Sequence, residues 1–137
     1  MGLMASAGEP AAVIEAGTDR LPPAFVDCLL DSALEPVLDA AVRRGGQAAN
    51  RKKNAGAGTQ TDGAEVARAL LAVTVCDPAC GSGALLVAAA RRIAGRVAEA
   101  REGNQSPDAL RRAMREVVGS CIYGVDASRE AVERTKD

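Results

Sequence analysis

One segment of eleven residues constrains the fold of this chain more than any other. Residues 73–83 read Val-Thr-Val-Cys-Asp-Pro-Ala-Cys-Gly-Ser-Gly, a short β-rich run that ends at an acid and a proline and continues into a loop of small residues. An alanine-rich helical pattern follows, with apolar residues at Leu86, Ala90, Ile93 and Val97. Because small residues let backbone N–H groups and a helix N-terminus approach a ligand closely, this strand–loop–helix layout is typical of a pocket for a nucleotide-like cofactor.

A second strand pattern favours an α/β fold around that loop. Residues 121–125 read Cys-Ile-Tyr-Gly-Val and predict a buried strand that ends at Asp126, as the first strand ends at Asp77. Because parallel strands end along one edge of a sheet, both acids are expected at that edge, where Asp126 could accept hydrogen bonds from both hydroxyls of a ribose. In the alternative interpretation, Gly-Ser-Gly is only a strand–helix turn and Asp126 only begins a turn.

The rest of the chain predicts helices and connecting segments. Residues 1–20 are rich in Ala, Gly and Glu without periodicity, which predicts a disordered tail. Residues 21–44 predict two helices that are separated at Pro36 and end near Gly45-Gly46, and 45–63 predict a flexible Gly-rich linker. The basic cluster Arg51-Lys52-Lys53 in that linker is interpreted as a solvated loop, with a phosphate-contacting loop as the alternative.

Residues 64–137 predict the α/β domain, with further helices around its strands. A short helix is expected over 65–71, and Ser82 is a candidate cap for the helix that follows the loop. Ser106-Pro107-Asp108 has the N-cap, N1 proline and first-turn acid of another helix, and Ser128 begins a last one over 129–136. The inward-facing residues after Asp108 are expected to be Leu110, Met114 and Val117.

Composition limits the chemistry that is available. The 137 residues allow one domain of ordinary size, and the aromatic residues are one Phe and one Tyr. The absence of histidine excludes Ser-His and Cys-His catalysis and histidine-ligated metals, and the four cysteines lack Cys-x-x-Cys spacing, which favours buried reduced thiols over a metal site. A net charge of −1, with neither a secretory signal nor a bilayer-spanning run, predicts a cytoplasmic protein without a membrane partner.

Departures from nucleotide-binding patterns narrow the expected cofactor. Leu86 stands where an NAD-type loop has its third glycine, which argues against binding of a pyrophosphate. No Gly-Lys-Ser/Thr follows the loop, so it is not a P-loop, and it offers no cationic side chain to balance phosphates. A ligand that carries a nucleoside without phosphates remains, and S-adenosylmethionine fits that description.

The loop resembles the cofactor-binding motif of class I adenine-specific DNA methyltransferases of restriction–modification systems, through Asp77, Pro78, Ala79, Cys80, Gly81, Ser82 and Gly83. Residues 121–126, followed by Ala131-Val132-Glu133, resemble the second motif of that family, and 30–38 resemble its upstream helical segment. The resemblance implies a partial Rossmann-like parallel sheet preceded by N-terminal helices. It also implies methyl transfer from S-adenosylmethionine to the exocyclic amino group of adenine in DNA.

The same resemblance implies roles for individual residues and for partners. Asp77 and the backbone over 79–83 would hold the methionine part of the cofactor, and Asp126 would bind its ribose hydroxyls. Ala127 stands where the family usually has a larger apolar residue against the adenine. The implied partners are DNA and the remainder of a split or fused restriction–modification enzyme.

The catalytic Asn/Asp-Pro-Pro-aromatic motif of the family is missing from these residues. The segment Leu21-Pro22-Pro23-Ala24-Phe25 lacks the polar first residue and lies before the loop. Because a target base must be extruded and stacked on an aromatic ring, one Phe and one Tyr cannot supply the pocket. We therefore expect an N-terminal piece, truncated after the second motif, without catalytic residues and inactive alone. A non-catalytic remnant or binding module, and a methyltransferase of a protein or small molecule, are the alternatives.

Overall fold

The structure, a computed structural model, describes residues 2–6, 12–15, 21–57 and 62–127, together with Arg129 and Glu133. It contains helices and strands in mixed order, which confirms the predicted α/β class. The described elements are β1 (Gly2–Ser6), β2 (Ala12–Glu15), α1 (Pro23–Ala33), α2 (Glu35–Asn54), α3 (Asp62–Leu71), β3 (Thr74–Asp77), α4 (Ala84–Glu102), α5 (Pro107–Cys121) and β4 (Ile122–Gly124). The helix predicted over 129–136, with its cap at Ser128, lies outside the described residues except for Arg129 and Glu133.

The described strands form one sheet in the order β2-β1-β3-β4. Strands β3 and β4 are parallel, with Asp77 opposite Gly124, and α4 and α5 connect them. Strand β1 runs antiparallel to both β2 and β3. The disordered tail predicted over 1–20 is therefore wrong for the residues of β1 and β2. Their apolar runs are too short to establish a strand by themselves, and pairing with β3 satisfies backbone groups that an edge strand would leave open.

Helices α1 and α2 are separated where the sequence predicts a break. Helix α1 ends at Ala33 and α2 begins at Glu35, with Pro36 in the first turn of α2. Helix α2 then continues to Asn54, so the prediction of its end near Gly45-Gly46, and of a linker from residue 45 onward, is wrong. The helix ends instead before Gly56, which has a φ of +71° as expected of a glycine that follows a helix.

Two glycines of the predicted linker are packing contacts between helices. A Cβ atom on Gly45 would lie 2.5 Å from the Cα of Val66 in α3. A Cβ atom on Gly63 in α3 would lie 1.8 Å from the carbonyl oxygen of Ala100 in α4. These glycines therefore let α3 pack closely against both α2 and α4, and neither terminates a helix.

Helix α4 lies at the centre of the described core. Leu86, Ala90, Ile93 and Val97 are buried, as their spacing predicts. Other buried apolar residues lie in α1, α2, α3 and β3 or directly beside them: Leu30, Leu34, Leu38, Leu70, Val73 and Val75. None of the helices in the described ranges combines the length and the apolar character that crossing a bilayer requires.

Helix α5 begins as predicted but turns a different face inward. Ser106 Oγ accepts a hydrogen bond from the N–H of Ala109 at 3.3 Å, which confirms the predicted cap. Of the expected inward residues only Val117 is fully buried, while Leu110 and Met114 are half-buried. The prediction followed the largest side chains, whereas the close contact with α4 is made by small ones. The buried face consists of Ala109, Ala113, Val117 and Cys121.

Candidate functional site

The loop between β3 and α4 turns at two glycines. Gly81 and Gly83 have φ values of +53° and +78°, a region that non-glycine residues adopt only at a cost. The N–H of Gly83 donates to the carbonyl oxygen of Cys80 at 2.8 Å. Gly83 is itself the N-cap of α4 and no side chain in the described part of the chain caps the helix, so the expectation that Ser82 would do so is wrong. The helix N-terminus thus lacks a side-chain acceptor, which suits it to an anionic or polar ligand group.

Asp77, the last residue of β3, is fully buried. Its Oδ1 accepts a hydrogen bond from the N–H of Ala79 at 3.0 Å, whereas its Oδ2 has no hydrogen-bond partner among the described residues. Burial raises the pKa of the Asp77 carboxyl above its ordinary value, and the nearby Asp126 carboxylate acts in the same direction. A buried carboxylate oxygen without a donor destabilises the fold, and a ligand that brings a cation or an N–H would satisfy it.

Asp126 connects the loop to the end of the second parallel strand. Its Oδ2 accepts a hydrogen bond from the N–H of Gly81 at 2.9 Å. The N–H of Val125 donates to the carbonyl oxygen of Asp77 at 2.9 Å, and the N–H of Cys80 donates to the carbonyl oxygen of Val125 at 3.0 Å. The two acids and the glycine loop therefore lie together at the carboxyl ends of β3 and β4, the edge at which the sequence places them.

Gly124 is a residue of this site that the sequence analysis did not single out. A Cβ atom there would lie 2.7 Å from Cδ1 of Leu86 and 3.2 Å from Sγ of Cys80. Only glycine lets the end of β4 approach the loop and the first turn of α4 this closely. A glycine inside a strand pattern is the signal that indicates such an approach.

The remaining predicted site residues surround this junction with different exposures. Pro78, Ser82 and Ala127 are exposed, while Cys80 is buried. The second strand differs from its prediction, because β4 begins only after Cys121, which closes α5, and because it is largely exposed. Tyr123 is 53% exposed, and β4 is an edge strand of the described sheet.

The cysteines of the described residues are free thiols. Sγ of Cys121 donates to the carbonyl oxygen of Leu71 at 3.4 Å, and burial raises the pKa of Cys121 to about 11. Its thiol therefore stays protonated at neutral pH and is a poor nucleophile. Within the described ranges, no group of three His, Cys, Asp or Glu side chains is arranged to hold a metal ion.

A groove of about 580 Å³ lies away from the glycine loop, between α4 and α5. Its lining residues share no member with the predicted cofactor site, so its size does not bear on that site. They are Arg91, Ala94, Gln105, Pro107, Leu110, Arg111 and Met114.

Comparisons with protein families, with curated proteins and with solved structures gave no match for this chain. Function is therefore argued from the geometry of the glycine loop and its two acids, because a fold class alone does not determine an activity.

Proposed function

We propose that this protein is the cofactor-binding part of an adenine-specific DNA methyltransferase, with S-adenosylmethionine bound at the glycine loop. The observation that carries the proposal is the hydrogen bond from the N–H of Gly81 to Oδ2 of Asp126. It joins the small-residue loop to the acid that follows the neighbouring parallel strand. A Rossmann-like binding edge, with a loop for one end of the cofactor and an acid for its ribose, needs this juxtaposition.

Asp126 is the residue that would hold the ribose. An ionised carboxylate offers about four acceptor positions, and the N–H of Gly81 occupies one of them, on Oδ2. The half-buried position of Asp126 supports this role, because a ligand can reach it and part of the water is excluded. The exposed Ala127 follows directly, where an adenine ring would lie.

Asp77 and the first turn of α4 would hold the methionine part. The ammonium group of that part is a cation with several donors, which fits a buried carboxylate oxygen that has no donor among the described residues. Its carboxylate fits the helix N-terminus at Gly83, where no side chain of the described ranges caps the backbone N–H groups. Once bound, S-adenosylmethionine would supply a transferable methyl group on its sulfonium.

Binding without turnover is the activity that we propose for these 137 residues. Transfer to adenine requires an aromatic surface for the extruded base and a hydrogen-bond acceptor for its amino group. Tyr123 and Phe25 are both exposed and lie on β4 and α1, and the sequence has no other aromatic residue. The base-binding residues would have to come from another polypeptide segment.

Calorimetric titration with S-adenosylmethionine tests the cofactor site. We expect the wild-type chain to release heat and Asp126→Asn to bind about 10- to 100-fold more weakly, because hydrogen bonds to a charged group are lost, at about 1.5–3 kcal/mol. The amide oxygen of the variant still accepts from Gly81, so the loop should keep its conformation. Asp108→Asn, an exposed acid paired with Arg111 on α5, is the matched control and should bind like wild type.

Two outcomes would contradict this proposal. Absence of heat from the wild-type chain would indicate a non-catalytic remnant instead. If Asp126→Asn bound S-adenosylmethionine as tightly as wild type, Asp126 would not be part of the cofactor site. A radiolabelled methyl-transfer assay on unmethylated DNA should give no incorporation above background. Incorporation by this chain alone would show that it transfers the methyl group, which would disprove the proposal of binding without turnover.

A further inference from the structure

Six exposed residues between Arg43 and Asn54 lie on one side of helix α2, and all six are polar or basic. Since successive residues of a helix are rotated by 100°, these six side chains fall within an arc of about 120° on the helix surface. The opposite side of α2 contains Ala41, Gly45 and Ala49, which are buried, and Gly45 lies against α3. We call the six exposed residues the basic face: Arg43, Arg44, Gln47, Asn50, Arg51 and Asn54.

The basic face has positive charge without compensating acids. Within the ranges that the structure describes, no carboxylate forms an ion pair with Arg43, Arg44 or Arg51, and the guanidinium Nε of Arg51 donates only to the backbone oxygen of Gln47 at 3.4 Å. The adjacent lysines differ in this respect. Lys52 pairs with Glu65 at 2.5 Å and Lys53 pairs with Asp62 at 2.7 Å, both across to α3.

The basic cluster Arg51-Lys52-Lys53 therefore contains two kinds of residue, lysines that form ion pairs with α3 and an arginine that does not pair with a carboxylate of the described residues. The two lysines stabilise the packing of α2 on α3, and the hydrogen bond from Lys52 holds the pKa of the Glu65 carboxyl below its usual range. The arginines make no such contact with the described residues, although the chain as a whole has a net charge of −1. Three guanidinium groups without an ion-pair partner among those residues therefore lie on one face of an overall weakly acidic protein, and they form a local site for an anionic partner.

We propose that the basic face binds double-stranded DNA. Arg43 and Arg51 are separated by about 12 Å along the helix axis, which is similar to the width of the major groove, about 12 Å. The arginines at the two ends of the face would contact phosphates, and the amides of Gln47 and Asn50 between them would lie near base edges. Guanidinium groups suit phosphates because they donate two hydrogen bonds in parallel.

An anionic membrane surface is the other partner that positive charge alone would allow, and the face does not fit it. Helices that bind in a membrane interface insert an apolar side with Trp, Phe or Leu. The apolar side of α2 is buried in the protein, and the basic face contains amides where such residues would be needed. This inference concerns a different element from the cofactor site and does not depend on S-adenosylmethionine.

Fluorescence anisotropy with a short labelled DNA duplex, without S-adenosylmethionine and over a series of salt concentrations, tests the proposal. We expect the wild-type chain to bind at low salt, with affinity that falls linearly on a logarithmic salt scale. The triple variant Arg43→Gln, Arg44→Gln, Arg51→Gln should bind at least about tenfold more weakly. Its salt slope should decrease by about 2 to 3, since each lost phosphate contact contributes about 0.9.

The control variant carries the same charge change on α4 and α5: Arg91→Gln, Arg111→Gln, Arg115→Gln. It should keep the wild-type affinity to within about twofold if the basic face is the binding surface. All six positions are exposed and helical, and circular dichroism should show that both triple variants keep the wild-type helix content. The proposal is wrong if the wild-type chain does not bind the duplex at low salt or if both triple variants lose equal affinity. Binding to phosphatidylserine vesicles but not to DNA would also contradict it.

Discussion

At Asp77 the folded protein retains a carboxylate whose Oδ2 has no donor among the described residues. The residue closes β3, so the chain buries it when the strand enters the sheet. A group that is costly in the folded state and lies beside a glycine loop is typical of a position selected for binding. Stability and ligand affinity should therefore respond in opposite directions when this carboxylate is removed.

Asp77→Asn should raise the free energy of unfolding by about 1 kcal/mol at pH 7 and by much less at pH 4. Burial raises the pKa of Asp77 in the native protein. Protonated Asp77 therefore makes its full contribution to the free energy of unfolding below the unfolded pKa, about 3.9, and this contribution is lost as pH rises through the native pKa. The variant avoids that loss because it has no charge to bury. Urea unfolding at both pH values measures the difference.

Asp108→Asn is the control for this experiment, because the exposed Asp108 contributes little at either pH. A loss of stability by Asp77→Asn at pH 7 would show that the buried carboxylate has a stabilising partner. Weaker binding of S-adenosylmethionine by the same variant would be consistent with the proposed cofactor site.

Single residues at the site were predictable to different degrees. Asp77 and Asp126 could be placed at one edge because each follows a short apolar run, and parallel strands end together. The tight contact at Gly124 with Leu86 and Cys80 could not, since it depends on how closely β4 approaches α4. Sequence position indicates which residues follow a strand, but contact distances arise only from packing.

At the scale of the helix, two adjacent glycines in α2 have different consequences. Gly45 is buried against Val66 of α3, whereas Gly46 has no atom within 4 Å of the position of a Cβ. In an exposed helical position alanine is preferred to glycine by about 1 kcal/mol, but at a close contact the added methyl group forces the helices apart. Substitution by alanine therefore tests helix propensity at Gly46 and helix packing at Gly45.

Gly45→Ala should lower the free energy of unfolding by about 2 kcal/mol, because its Cβ would lie 2.5 Å from the Cα of Val66. Gly46→Ala should raise it by about 0.5–1 kcal/mol. Thermal or urea unfolding of the two variants provides the comparison. Stabilisation by both substitutions would contradict the tight contact between α2 and α3 at Gly45 and Val66.

The same glycines explain why the ends of elements were only partly predictable. The cap at Ser106 and the break before Pro36 have local causes, and both were predicted correctly. The end of α2 was predicted wrongly because a Gly-Gly pair is a frequent helix breaker. Whether a glycine ends a helix or lets another helix approach depends on a partner that is distant in sequence, which for Gly45 is Val66.

Across the whole molecule, a row of acids joins α1 and α2 to α4. The acids recur at every fourth residue, and the row continues through the break at Leu34. Arg96 on α4 contacts Glu35 at 2.6 Å, and Arg92 contacts Asp27 at 3.3 Å. The complete row consists of Asp27, Asp31, Glu35 and Asp39, and each member pairs with Arg92 or Arg96.

Arg92→Gln should lower the free energy of unfolding by about 1 kcal/mol at low salt, because Arg92 is only 23% exposed and loses three carboxylate partners. The loss should decrease at high salt, where exposed charges are screened. The adjacent Arg91, which pairs with no carboxylate of the described residues, provides the control, and Arg91→Gln should change stability little. Equal effects of the two substitutions in urea unfolding would contradict a role for the acid row.

Strand β3 pairs with β1 on one side and β4 on the other, so an additional strand cannot pair with β3. Among the strands described, a polypeptide supplied in trans could extend the sheet by pairing with β4 or β2. Alternatively, it could replace β1 by strand exchange. Addition beside β4 would leave the edge with Asp77 and Asp126 intact and would extend the sheet next to Asp126. Replacement of β1 would require β1 to detach from β3 before the added strand could form the same hydrogen bonds.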